Sequence, residues 1–187
     1  METAKQVTEQ LDAGGLPPRS HGGCAPVRDA RKPERATVLR LLNQALATHI
    51  VCTLRSRRHY YTACGVTADS VRQVFLRRAE QQLAHADRIA ARIVQLHGAP
   101  DFNPRGLTER SHAEYVAGDT LESMMREELV AERIAIDSAR QIIACLGAGD
   151  PTTRRLMEEV LAGAEAHAAA LARLLQRTQG ARRLARA

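Results

Sequence analysis

Gln82-Leu83-Ala84-His85 and, about eighty residues on, Ala164-Glu165-Ala166-His167 each end in a histidine one helical turn beyond a position where a carboxylate would complete a ligand pair. Glu-x-x-His turns on facing helices are how helical bundles hold paired metal ions. Here the first letters are Gln82 and Ala164. His49 and Glu132 fall into the same scheme. His49 precedes His85 by 36 residues and Glu132 precedes His167 by 35. Near-equal separations put the four side chains at one level of two antiparallel hairpins. Three imidazoles and one carboxylate suit a single Zn²⁺, Fe²⁺ or Cu²⁺ ion. The same side chains, with Gln82 beside them, also suit a metal-free network of buried polar contacts.

The elements that must position them are four long helices. The first is expected from Glu34 to Cys64, with Gly65 as its stop, and Leu39, Leu42, Leu46, His49, Cys52 (or Thr53) and Ser56 recur on one face. The second starts at Thr67 or Asp69 and ends at His97-Gly98; Phe75, Arg78, Gln82, His85, Ile89 and Ile93 follow the three-four spacing. The third runs from Asp119 or Thr120 to Leu146, ending at Gly147, with Met124, Leu129 (or Glu128), Glu132, Ala135, Ile136, Ala139 and Ile143 inward. The fourth has Asp150 as cap and Pro151 at its first position, and passes through Leu156, Val160, Ala164, His167, Leu171 and Leu174 to Gln176 or beyond. Between the second and third lies a long connection, Gly98 to Asp119, with a short helix expected at Leu107 to Val116. A connection of that length implies a crossover between parallel neighbours.

Composition agrees with an all-α fold. Ala and Leu dominate the 44% hydrophobic content, only 3% is aromatic, and strand-like runs of β-branched residues are absent. A length of 187 residues suits one domain with tails. We expect a flexible N-terminal extension over 1–35, broken by Gly14-Gly15, Pro17-Pro18 and Gly22-Gly23, a four-helix bundle over 36–178, and a basic C-terminal tail over 179–187. The net charge of +6 is uneven, because Arg173, Arg177, Arg182, Arg183 and Arg186 end the chain without an acidic residue. That feature points to a polyanion such as DNA as a partner. Cys24, Cys52, Cys64 and Cys145 form no CxxC pair and are expected as free thiols. No signal pattern or membrane span of about 20 apolar residues is present, which places the protein in the cytoplasm and away from membranes. No Ser-His-Asp order, phosphate loop or dinucleotide fingerprint occurs.

Other polar residues have plainer expectations. His59-Tyr60-Tyr61 reads as surface or interface packing, and His21, His97 and His112 as solvated ends and loops. Met124-Met125 reads as core or interface, while Glu127 and Glu128 read first as a solvated face, although Glu128 lies one turn before Glu132 and could assist an ion there.

Residues Val38 to Leu175 resemble the ferritin-like superfamily, and are most similar to bacterioferritin-type and Dps-like ferritins. The stretches that carry the resemblance are Leu41-Leu42-Asn43-Gln44-Ala45-Leu46-Ala47-Thr48, His85-Ala86-Asp87-Arg88-Ile89, Ala131-Glu132-Arg133-Ile134-Ala135 and Asp150-Pro151-Thr152-Thr153-Arg154-Arg155. The resemblance implies a bundle that takes up Fe²⁺, oxidises it between the helices and stores it inside a hollow homo-oligomer. It maps the family's metal ligands onto His49, Gln82, His85, Glu132, Ala164 and His167. Both bridging carboxylates are thereby replaced, by Gln82 and Ala164. Ser56 stands where a tyrosine is common, and Leu83 where bacterioferritins place a haem-ligating methionine, so no haem is expected. Bridging carboxylates offset the repulsion between two hard cations and supply the oxygen ligands iron prefers. Without them ferroxidase chemistry is in doubt. Three further readings stay open: a single Zn, Fe or Cu ion at His49, His85, Glu132 and His167; a Dps-like DNA-binding cage or dimer; and a structural pseudo-ferritin that co-assembles with an active paralogue.

Overall fold

The computed structural model describes residues 34–65 and 68–184, side chains of 181–184 excepted, and the expected extension over 1–35 lies almost wholly outside it. Five helices follow in order: α1 (Arg35–Thr62), α2 (Ala68–Gln95), the single turn α3 (Leu107–Arg110), α4 (Leu121–Leu146) and α5 (Pro151–Leu184). α1 packs along α2 and α4 along α5 as two hairpins, with α1 against α4 and α2 against α5 closing the bundle. The described residues contain no strand. None of their helices is long and apolar enough to cross a membrane.

The helix ends follow local chemistry. Thr120 and Ser123 form a reciprocal capping box at the start of α4. Asp150 accepts from the Thr153 backbone N–H at 3.0 Å, with Pro151 at the first position of α5. α2 ends where His97 turns into the left-handed region at φ 55° and the Gly98 N–H reaches back to the Ile93 carbonyl at 2.9 Å. The His97 carbonyl accepts from Arg35 at 2.6 Å, tying the end of α2 to the start of α1. α5 continues past residue 178 to Leu184, so the beginning of the basic tail extends the last helix.

The short helix expected over Leu107–Val116 stops at Arg110, behind a 3-10 turn at Pro104–Gly106. Ser111 explains the stop, because its hydroxyl donates to the Ala113 carbonyl at 2.6 Å and accepts from the Ala113 N–H at 3.2 Å. These local bonds compete with the helical ladder.

The apolar interior is in two parts. Near the start of α1, Leu42 and Leu46 pack with Ile89, Ile93, Ile142, Leu146, Met157 and Val160. Near the other end Phe75, Met124, Met125, Leu129, Leu171 and Leu175 form a second cluster. Each fully buried Leu or Ile contributes about 1.5–3 kcal/mol by leaving water. Polar side chains fill the space between the clusters. The crossover lies against α1, where Leu107 meets Ala47 and Val51, and Ala113 meets Cys52 and Ala131.

Candidate functional site

The polar layer is built by one face of each long helix. α1 brings His49, Ser56 and His59, α2 brings Arg78, Gln82 and His85, α4 brings Glu128 and Glu132, and α5 brings His167. Arg78, Gln82 and His85 recur at four and three residues, and Glu128 and Glu132 at four, so each set forms one helical stripe.

Glu132 is the hub of the first half. It is fully buried, and the equally buried Arg78 engages both its oxygens, Nε donating to Oε1 at 2.6 Å and Nη2 donating to Oε2. Arg78 also donates to Gln81 at 2.8 Å. The Gln82 amide donates to Glu132 Oε1 at 3.3 Å, while its carbonyl accepts from His49 Nδ1. The His49 hydrogen therefore sits on Nδ1. The His49 and His85 rings meet edge to face, 5.4 Å between centroids. His167 Nδ1 lies 3.3 Å from Glu132 Oε1 without hydrogen-bond geometry, and both His167 ring nitrogens and His85 Nδ1 are buried without a partner. Burial holds His49 at a pKa of about 4, with the charges of His85 and Arg78 adding to it against the pull of the Gln82 hydrogen bond. Burial likewise holds His85 at about 4, helped by Arg78 and Arg88. Both rings are neutral near pH 7.

The second half is centred on Glu128. Ser56 Oγ lies 2.9 Å from each of its oxygens, His59 Nδ1 donates to Oε1 at 2.8 Å, and Arg55 Nε donates to Oε1 at 3.4 Å. Burial pushes the Glu128 carboxyl up, but the Arg55 charge and the His59 and Ser56 contacts outweigh it and hold the pKa at about 2. The Glu128 charge in turn raises the Arg55 pKa against the effect of burial. The crossover backbone seals this half. Arg55 donates to the Glu114 carbonyl at 3.0 Å, and His59 Nε2 and Arg58 donate to the Ala117 carbonyl at 2.7 and 2.6 Å. His59 faces an acceptor on each ring nitrogen.

His49, Gln82, His85, Glu132 and His167 thus come together at one level. Among the described residues no three His, Cys, Asp or Glu side chains converge as a metal-holding group. A pair of iron ions does not fit these residues. Ala164 is buried and offers no ligand, Gln82 offers a neutral amide, and Arg78 takes both oxygens of Glu132. A guanidinium a few ångströms from two divalent cations would repel both.

Several expectations are corrected. Glu128 is not on a solvated face and His59 is not at the surface; both are fully buried against each other. His112 is not simply solvated, because its Nδ1 meets Ser138 Oγ at 2.7 Å and its N–H donates to Thr48 Oγ1 at 3.0 Å. Cys52 and Cys64 are free thiols, whereas Cys145 is disulfide-bonded. The sequence assigned no role to Arg78 or Arg55. Arg78 carried a signal, because it stands on the inward stripe between Phe75 and Gln82.

Residues 39–181 match the ferritin-like domain family. No curated protein matches the chain. Among solved structures, the fold is similar to the dodecameric thioferritin of Bacteroides fragilis, a bacterioferritin-related protein, at 24% identity over 81% of this chain and 92% of that one, with a TM-score of 0.79. It is similar to Dps from Thermosynechococcus elongatus at 21% identity over 75% of this chain and 91% of that one, TM-score 0.72. Dps from Staphylococcus aureus matches at 19% identity over 76% of this chain and 97% of that one, TM-score 0.74. At these identities the likeness is one of fold.

Proposed function

Since this chain belongs to the ferritin-like domain family, we propose that it is a cytoplasmic, homo-oligomeric subunit of iron handling whose own bundle interior does not oxidise iron. The supporting observation is the Arg78 guanidinium on both oxygens of Glu132, the one carboxylate retained from the family's ligand set. With that carboxylate neutralised and both bridging carboxylates replaced, Fe²⁺ meets no oxygen-rich site between the helices. The family's oligomers, and the dodecamer named for the Bacteroides fragilis protein, support an assembly role. Such a subunit can enclose iron alone or co-assemble with an active paralogue. No haem is part of this reading, because Leu83 replaces the methionine ligand.

The test is Fe²⁺ oxidation in air, followed by ferric absorbance, with purified protein and buffer alone. The expected rate is that of buffer. Saturable oxidation lost in Glu132→Ala would overturn the reading.

One observation favours a second reading. His85 Nδ1 and both His167 nitrogens are buried without partners, and buried polar atoms ordinarily find one. A single Zn²⁺, Fe²⁺ or Cu²⁺ ion on His85, His167 and their neighbours His49, Gln82 and Glu132 would supply it. Element analysis separates the two: about one ion per chain supports the ion, and metal-free protein after incubation with each supports the first reading.

A further inference from the structure

We propose that Cys24 and Cys145 form an intrachain disulfide that pins the N-terminal extension to the end of the bundle where α1 begins, and that peroxide makes this pin and cellular thiols release it. The release rests on the cytoplasmic reading above; the pairing does not.

The pairing follows by elimination. The chain has four cysteines, Cys24, Cys52, Cys64 and Cys145. Cys145 is disulfide-bonded, while Cys52 and Cys64 are free thiols. Within one chain that leaves Cys24, which lies outside the described residues, as the partner. Chain length permits the bond. Cys145 belongs to the apolar cluster that also holds Val38, Leu41 and Leu42 from the first turns of α1. The described chain starts at Glu34, next to the first residue of α1. Cys24 precedes Glu34 by ten residues, a length that spans up to about 33 Å when extended. Packed helix axes lie only about 8–10 Å apart, so the segment reaches Cys145 without moving a helix. The closed loop contains α1, α2, the crossover and nearly all of α4. Closing a loop of that size restricts the unfolded chain and steadies the bundle. Disulfides that form in a thiol-reducing cytoplasm are mostly transient and redox-sensing. Formation takes two electrons and two hydrogens from the thiols of Cys24 and Cys145; one hydrogen peroxide accepts them and leaves as two waters. Release returns two electrons and two hydrogens from two glutathione thiols, which leave as one glutathione disulfide.

The experiment uses the full-length natural chain and Cys24→Ser, whose substitution lies outside the described helices. Each is treated with stoichiometric hydrogen peroxide, alkylated in denaturant and digested with trypsin without reduction. In the natural chain alone, peptides 20–28 and 141–154, which carry Cys24 and Cys145, are expected joined. A non-reducing denaturing gel should show that joined species as a monomer. Excess reduced glutathione, added to the folded protein, should part the two peptides, and peroxide should rejoin them. Trypsin acting on the folded natural chain should cut after Arg28 and Arg31 at least about tenfold more slowly in the oxidised state than in the reduced one. Cys24→Ser should be cut at one rate in both states. Cys145 recovered as a free thiol after peroxide, or joined to Cys52 or Cys64, would overturn the pairing. So would a join found only in a dimer band. A join that survives excess glutathione would overturn the release, and equal cutting of the oxidised and reduced natural chain would overturn the pinning. Iron oxidation by the natural chain would overturn the functional reading and leave the peptide map unchanged.

Discussion

Replacing Glu128 with Gln tests the second half of the polar layer. The substitution keeps the shape and removes the charge that Arg55, His59 and Ser56 surround. The Glu128 pKa falls from an ordinary 4.5 to about 2 in the fold. At about 1.4 kcal/mol per unit, that depression corresponds to about 3 kcal/mol of stability at neutral pH. Breaking a buried ion pair on one side typically costs ~3–5 kcal/mol, because the remaining charge is stranded. The two routes agree, so Glu128→Gln should lose about 3 kcal/mol at pH 7. The sign of the pH dependence follows from the depressed pKa. The stabilisation is fully present above pH 4.5, where the unfolded carboxyl is ionised, and is lost as pH falls toward 2. The gap between natural and variant chains should therefore be constant from pH 7 to 5. It should then narrow by up to about 1.4 kcal/mol for each further unit of acid. Urea unfolding at fixed protein concentration measures this gap, and titrating groups remote from Glu128 cancel in the difference. A loss below about 1 kcal/mol at pH 7, or a gap that does not change between pH 5 and 3, would refute the assignment of Glu128 as the buried anion of this cluster.

Three other outcomes are expected. His49 is held neutral at a pKa of about 4 against an ordinary 6.5, so natural protein should lose stability as pH falls from 6.5 toward 4, and His49→Phe should flatten that limb in urea titrations; an unchanged limb would count against it. Asp150→Ala removes the α5 cap and the partner of Arg92 at 2.9 Å, and should cost about 1–2 kcal/mol in urea unfolding. Arg173 and Arg177 are exposed on α5; if the basic end of the chain binds DNA, Arg173→Gln/Arg177→Gln should weaken a low-salt gel shift given by the natural chain, and equal shifts would remove that role.

The fold was legible because its determinants are local. Period-3.6 patterns, the Asp150-Pro151 start and the Gly65 and Gly147 stops each declare themselves within a few residues. The matched separations of His49–His85 and Glu132–His167 then brought four distant side chains to one level. Local spacing does not say which polar residue meets which. Arg78 and Glu132 are 54 residues apart and Ser56 and Glu128 are 72 apart, and both pairings depend on how the hairpins face each other. His59 and Glu128 were misread for a related reason. Each stands beside strongly polar neighbours, Arg57-Arg58 and Arg126-Glu127, which make the local sequence look solvated. The crossover backbone that covers the Glu128 cluster through the Glu114 and Ala117 carbonyls could not be placed from composition.

The polar layer also cuts the apolar interior in two, with Leu42, Ile89, Ile142 and Val160 on one side and Phe75, Met125 and Leu171 on the other. A continuous apolar core opens as one block, whereas this interior has a seam of directional contacts at mid-height. Local opening can stop at that seam. Amide hydrogen exchange should then resolve two cooperative blocks, each spanning all four long helices at its own end of the bundle. The boundary between them should run across the helices at the level of Glu132, instead of between the two hairpins.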